Sequence, residues 1–219
     1  MKILFQGDSI TDGARYKDPA FEWDKNHQIG HSYAYVICGK LGFDDPMGYE
    51  FVNKGISGNN VQQLEARWDS DCIDIAPDLL SVLIGINGNG RTNEGTYVGD
   101  ADEAVSSYEA TYRRILKKAL DSNPNLKIVI IEPFALPVGV FARDYENFRA
   151  RLSRIRAAAK RVAEDFGAAF VPMQEELDAL SKETDPALWL WDGIHPTERA
   201  HWLIATRWLE AAEPFLKKV

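Results

Sequence analysis

Ser9 lies in Gly7-Asp8-Ser9-Ile10-Thr11, directly after a short apolar run, Ile3-Leu4-Phe5. A buried strand that runs into a glycine turn can project the next side chain from its end instead of packing it into a core. A serine placed there stands where a nucleophile would, but its hydroxyl is a poor one at neutral pH. It needs a base, usually histidine, and the histidine needs a group that orients it. Both are supplied at the far end of the chain, in Trp191-Asp192-Gly193-Ile194-His195-Pro196-Thr197. Each residue also has a local reading: Ser9 as a helix cap, Asp192 as a turn former, His195 as a surface residue before a helix.

The elements that must bring these ends together read as alternating strands and helices. After Ile3-Leu4-Phe5, strands are expected at Glu50–Asn53, Leu79–Ile84, Lys127–Ile131 and Ala168–Val171. The third is apolar nearly throughout, as a parallel strand covered on both faces should be. Helices are expected at Ser32 to about Leu41, from Asn60 through Val61, Leu64 and Trp68, and along Val105, Tyr108, Tyr112, Ile115, Leu116 and Ala119. Three more are expected: Phe148 to Phe166, Gln174 to Leu180, and Thr197 to Glu213. Two long loops remain, Asp12 to Gly30 and from the end of Gly85-Ile86-Asn87-Gly88-Asn89-Gly90 to about Gly99, and loops of that length in a compact fold are often functional. The pattern implies a three-layer α/β sandwich with a five-stranded parallel sheet, in one domain spanning residues 1–219. Sites in such sheets lie at the carboxyl ends of the strands. Ser9, Gly58 and Asn87 follow strands one, two and three, so all three are expected on one edge.

Composition narrows the function classes. A chain of 219 residues with 45% hydrophobic and 26% charged residues can bury a full core and is neither disordered nor fibrous. A formal net charge of -8 argues against nonspecific binding of nucleic acid or anionic membrane, and a neutral or soluble substrate fits better. The two cysteines, Cys38 and Cys72, lack CxxC spacing and read as core thiols in helices. No apolar run approaches a membrane span, and the first residues open directly into the first strand with no signal peptide, so a cytoplasmic location is expected.

Taken together, Gly7-Asp8-Ser9-Ile10, the glycine of Ser57-Gly58-Asn59, Gly85-Ile86-Asn87 and Asp192-Gly193-Ile194-His195 resemble the blocks of the SGNH, or GDSL, hydrolase superfamily, in its order and near its spacings. The stretch Val52-Asn53-Lys54-Gly55-Ile56-Ser57-Gly58-Asn59, then Ala66-Arg67-Trp68, and the tryptophan before Asp192 are similar to the cytoplasmic acetyl-xylooligosaccharide esterases of that superfamily. The resemblance implies a flavodoxin-like sheet and a serine esterase acting through an acyl-serine, with no metal or cofactor. It implies Ser9 as nucleophile, His195 as base and then acid, and Asp192 as the group that holds the imidazole. The backbone N–H of Ser9, the backbone N–H of Gly58 and the side-chain amide of Asn87 would form the oxyanion hole. The implied partner is a small ester, an acetylated oligosaccharide, and relatives often assemble into dimers or rings, which implies a homo-oligomer. A lipid or thioester acyl chain, as for a lysophospholipase or acyl-thioesterase, is the alternative substrate.

One departure stands out: Gly88 occupies the place where the family commonly has an aspartate. The G-x-S-x-G elbow of other serine hydrolases is absent, because Thr11 stands at its second glycine. Asp8 reads as a structural acceptor for the turn that holds Ser9. Phosphoryl transfer on Asp8 would need Mg²⁺ and further carboxylates at strand ends, whereas strands two and three deliver Gly58 and Asn87. A catalytically inert carbohydrate-binding relative is the other competing class, and the complete Ser9, Asp192 and His195 set argues against it. His27, His31 and His201 lack ligand spacing for a metal. Trp191 and Trp189 beside the base are either core or platforms for a sugar ring, and Trp23 and Arg15 on the first loop are further substrate-binding candidates.

Overall fold

Strand β1 (Lys2–Gly7) pairs in parallel with β2 (Glu50–Asn53) on one side and with β3 (Leu79–Leu83) on the other. β4 (Lys127–Ile131) and β5 (Ala169–Val171) continue the sheet beyond β3, giving the order β2-β1-β3-β4-β5. These pairings come from a computed structural model that describes residues 1–21, 23–88 and 99–216. All five strands run parallel, so their carboxyl ends share one edge. The chain leaves β1 toward β2 and then crosses to β3 on its other flank, which makes the β1–β3 crevice the switch point where such sheets bind ligands. Every residue of β3 is buried, Ser81 included, which is why this strand is an unbroken apolar run in place of an alternating pattern.

Eight α-helices occur among the described residues: α1 (Ser9–Asp12), α2 (Lys25–Ile29), α3 (Tyr33–Asp44), α4 (Val61–Ala66), α5 (Ala101–Ser122), α6 (Tyr145–Asp165), α7 (Gln174–Glu183) and α8 (Glu198–Ala212). α4, α5 and α6 pack side by side, α3 packs against α8, and both groups cover the sheet, as a three-layer sandwich requires. Tyr108, Tyr112, Ile115, Leu116 and Ala119 of α5 and Phe148, Leu152, Ile155 and Val162 of α6 are buried, the faces their spacing predicts. On the opposite layer the Trp208 indole is fully buried, lies 5.8 Å from the Phe5 ring and donates its Nε1–H to Ser81 Oγ at 2.9 Å. That bond satisfies the one hydroxyl in the middle of the sheet and ties α8 to β3.

Several expectations need correction. The first long loop is not structureless: it holds a 3₁₀ turn at Pro19–Phe21 and the five-residue α2, too short to show a period in sequence. Ser9 is the first residue of α1, and Asp8 is the cap, accepting from the Ile10 N–H at 3.0 Å. α4 stops at Ala66, before Trp68, and Cys72 sits in a π-helical turn at Asp69–Ile73. Cys72 is buried as a core thiol should be, Cys38 only partly, and burial pushes both thiols up, Cys72 to about 12. The second long loop falls on residues 89–98, outside the described residues. Among those described, no helix is long and apolar enough to cross a membrane.

Trp208→Ala should lower the free energy of unfolding by about 3–5 kcal/mol, since it removes the largest side chain between α8 and the sheet and the donor to Ser81. Urea denaturation at constant m-value reads this directly. A change under about 1 kcal/mol would mean that α8 is not anchored through this contact.

Candidate active site

The two ends of the chain meet at the carboxyl edge of the sheet. Ser9 Oγ lies 2.8 Å from His195 Nε2, across 186 positions of sequence. His195 Nδ1 lies 2.6 Å from Asp192 Oδ2. Nδ1–H donating to the carboxylate leaves Nε2 as the acceptor for the Ser9 hydroxyl, the tautomer a base toward Ser9 must have.

Each end is held by local structure. Leu4 and Phe5 are fully buried in β1, and the Thr11 carbonyl accepts from Asn53 Nδ2 at 2.7 Å and from Ser32 Oγ at 2.9 Å, so α1 cannot turn. At the other end, Asp192 Oδ1 accepts from the N–H groups of Ile194 and His195 at 3.0 and 2.8 Å, which folds the segment into an Asx-type turn. Leu190 and Pro196 bridge in antiparallel fashion, and the Leu136 N–H donates to the Gly193 carbonyl at 2.8 Å. Gly193 has φ 108°, and a Cβ there would lie 2.8 Å from the Val138 carbonyl and 2.9 Å from that of Leu136. Only glycine lets the segment after β4 press this close against the turn.

Charge at the site is arranged around the imidazole. The hydrogen bond to Asp192 raises His195 above its ordinary value against the opposing effect of half-burial. Burial works against the Asp192 carboxylate, yet hydrogen bonds from His195 and Ile194 hold it below the usual range. Asp8, fully buried under Ser9, is pushed up to about 7 by desolvation, with the nearby His195 acting in the other direction. His201 is held neutral: burial pushes it down to about 4, and its Nδ1 accepts from the Tyr33 N–H at 3.0 Å.

The other expected residues divide. Asn87, just past β3, donates from Nδ2 to the Asn59 carbonyl at 3.1 Å, so its side chain is fixed against the loop that carries Gly58. Gly58 is exposed, has φ 81°, and has nothing within 4 Å of where a Cβ would stand. Its left-handed backbone and open face suit an amide turned toward a ligand. Trp191, 61% exposed, stacks on His195 with ring centroids 5.6 Å apart. Arg15 is half-buried, donates from Nε to the Gly55 carbonyl at 3.0 Å, and lines a cavity of about 690 Å³ beside β2 that Ser9 and His195 do not line. Trp189 is turned away from Trp191: its Nε1–H donates to Thr184 Oγ1 at 2.8 Å, and it lines a cavity of about 500 Å³ with Leu180 of α7 and Trp202 of α8. Trp23 is 76% exposed and its nearest ring is Phe21. Two residues not singled out for the site knit it together, Asp12 and Arg67. Arg67 donates to the Gly7 and Lys54 carbonyls and to Asn59 Oδ1.

Residues 5–203 match the GDSL-like lipase/acylhydrolase family. An acetylxylan esterase from Geobacillus stearothermophilus is 33% identical over 210 residues, 95% of this chain and 92% of that protein. The crystal structure of that acetylxylan esterase superposes with a TM-score of 0.78 at 32% identity, over 96% of this chain and 93% of the other. A protein from Parabacteroides merdae assigned as a GDSL-like lipase superposes with a TM-score of 0.83 at 36% identity, over 97% and 95%. Matching structures also include catalytic mutants of the Geobacillus esterase in which a serine, an aspartate or a histidine is replaced by alanine. The chain belongs to the GDSL-like lipase/acylhydrolase family and is a carboxylic ester hydrolase.

The His195–Asp192 contact has a defined pH signature. A raised histidine contributes stability that is complete below its unfolded value, 6.5, and lost as pH rises through its folded value. A lowered aspartate contributes stability present above its unfolded value, 3.8, and lost as pH falls through its folded value. The ion pair is therefore strongest between those two limits. An NMR titration should place the His195 imidazole above 6.5, and Asp192→Asn should bring the midpoint down. An unshifted midpoint in the variant would show that the carboxylate does not set the charge on the ring.

Proposed function

We propose that this member of the GDSL-like lipase/acylhydrolase family removes acetyl groups from carbohydrates, with Ser9 as nucleophile, His195 as general base and acid, and Asp192 as the orienting carboxylate. The observation that carries the reading is the unbroken chain from Ser9 Oγ through His195 to Asp192, at 2.8 and 2.6 Å. In acylation the Ser9 oxygen bonds to the ester carbonyl carbon while its proton passes to His195 Nε2. The carbonyl oxygen becomes an oxyanion, met by the N–H groups of Ser9 and Gly58 and by the Asn87 amide. Ser9 is the first residue of α1, so its N–H has no partner inside the helix. Each such donor can lower the barrier by about 2.7–4 kcal/mol. The intermediate collapses by breaking the bond to the sugar oxygen, which takes the proton from His195. Water then attacks the acetyl-serine and gives one proton to His195, that proton returns to the Ser9 oxygen as its bond to the acetyl carbon breaks, and the product leaves as acetic acid, which gives its remaining proton to solvent.

The substrate reading draws on the acetylxylan esterase likeness and on Trp191, an exposed indole stacked beside the base where a sugar ring could lie against it. Of the other substrate-binding candidates, Arg15 donates to the Gly55 carbonyl and lines the separate cavity beside β2, and Trp189 and Trp23 have other neighbours. The reading takes residues 1–219 as one hydrolase domain built around one sheet.

Ser9→Ala should reduce kcat by several orders of magnitude on acetylated xylose oligomers, with Tm nearly unchanged. On p-nitrophenyl esters, acetate should be a better substrate than octanoate. Equal or better turnover of octanoate would move the assignment to lipid or thioester acyl chains.

A further inference from the structure

We propose that Asp12 is a positioning residue of this site: by gripping Ser57 it fixes where the turn that carries the Gly58 N–H stands relative to Ser9. The proposal rests on the serine-hydrolase reading above and assigns a cause for the order of its oxyanion hole. Asp12 lies one helical turn after Ser9 and is fully buried. A buried carboxylate is costly unless it is paired and hydrogen-bonded. Here Oδ2 accepts from both donors of Ser57, the N–H at 2.9 Å and the hydroxyl at 2.8 Å. Lys17 Nζ reaches the carboxylate from the solvent side at 2.8 Å, and the Arg15 N–H donates to Oδ1 at 3.2 Å.

What distinguishes this contact from an ordinary buried ion pair is where it acts. Ser57 and Gly58 are exposed residues in a loop, and loops of that kind are mobile unless tied down. The loop is tied on both flanks of the Ser57–Gly58 peptide. On one flank the Ile56 N–H donates to the Gly7 carbonyl at 3.1 Å, and Asp12 holds Ser57. On the other flank Arg67 Nε donates to Asn59 Oδ1 at 2.9 Å, and the Asn59 carbonyl receives Asn87. Gly58 itself has no Cβ, and nothing lies within 4 Å of where one would stand. With both Ser57 donors on one oxygen, the Cα from which the Ser57–Gly58 peptide starts is held in place, and the Asn59 N–H, donating to the Ile56 carbonyl at 3.1 Å, closes the turn that contains that peptide. The same helical turn carries Ser9 at its start and Asp12 at its end, so nucleophile and clamp move together.

The test compares Asp12→Ala, Asp12→Asn and Ser57→Ala with the parent, each rate divided by the sites that an organofluorophosphonate titrates, which counts only folded, competent protein. For p-nitrophenyl acetate, Asp12→Ala should lose about 10–100-fold in kcat with KM within about threefold, because a misaimed donor acts on the transition state and not on the bound ester. Phenylboronic acid, whose tetrahedral adduct with Ser9 places an oxygen where the oxyanion forms, should bind Asp12→Ala more weakly by a similar factor. Asp12→Asn, which keeps an oxygen able to accept from Ser57, should recover most of the loss. Ser57→Ala removes one of the two bonds and should lose about threefold in both readouts. The proposal is overturned by parent-like kcat per site in Asp12→Ala, or by a loss of kcat with no weakening of the boronate. If Asp12→Ala does not fold, parent values of both readouts in Ser57→Ala overturn it. Ser9→Ala separates the two levels: full hydrolysis by that variant sinks the hydrolase reading itself, whereas an inactive Ser9→Ala beside parent-like Asp12 variants sinks the clamp alone.

Discussion

The 2.8 Å contact between Ser9 Oγ and His195 Nε2 joins residues that the sequence holds 186 positions apart, and much of the fold can be understood as what keeps that distance. A hydrogen bond weakens steeply with misalignment, so each end must be placed to a fraction of an ångström before the contact has value. On the serine side the placement comes from an interior strand buried from Ile3 to Gly7, then a four-residue helix capped by Asp8 and held through the Thr11 carbonyl. On the histidine side it comes from a turn whose aspartate accepts two backbone amides with one oxygen and the imidazole with the other. Asp192 thus both shapes the loop and orients the ring, and neither task can be separated from the other.

Electrostatics follows from the same packing. Three carboxylates surround Ser9 and are in different states because their surroundings differ. Asp12 and Asp192 are given donors and stay charged, while Asp8, buried with few donors, is pushed up to about 7. His195 and Asp8 feel each other's charge, the imidazole drawing the Asp8 carboxyl down and the carboxylate drawing the imidazole up. His201, one turn into α8, is held neutral by burial, which keeps a second positive charge away from the site.

β3 and β4 were legible because a parallel strand buried on both faces leaves a nearly unbroken apolar run, and β2, a half-exposed edge strand, also falls where expected. The long helices α5 and α6 were legible because one buried face over twenty or more residues repeats its period many times. α1 and α2 were not, since helices of four and five residues complete barely one turn and are held by partners elsewhere in the chain. The blocks around Ser9, Gly58, Asn87 and Asp192 to His195 were readable as residue types at set spacings. The network beneath them was not: Asp12 meets Ser57 across 45 positions and Arg67 meets Gly7 across 60, and no local pattern encodes such pairs. Trp189 shows the opposite failure, because its neighbour Trp191 stacks on the histidine while it serves the α7–α8 cavity.

The strand order explains why so short a list of residues can converge at all. β1 lies between β2 and β3, and neighbouring strands are about 4.8 Å apart, so groups leaving three adjacent carboxyl ends start within roughly 10 Å of one another. Ser9 leaves the middle strand, and the loops after β2 and β3 bring Gly58 and Asn87 from either side, joined to each other through Asn59. β4, next in the sheet, contributes the segment after it: Leu136 binds the Gly193 carbonyl and so brings in the turn that carries Asp192 and His195. An order that moved β2 to the far edge would place Gly58 several strand spacings from Ser9, beyond the reach of a tight glycine turn. The reaction proposed here therefore depends on topology before it depends on any side chain, and the side chains refine to hydrogen-bond precision what the sheet has already brought close.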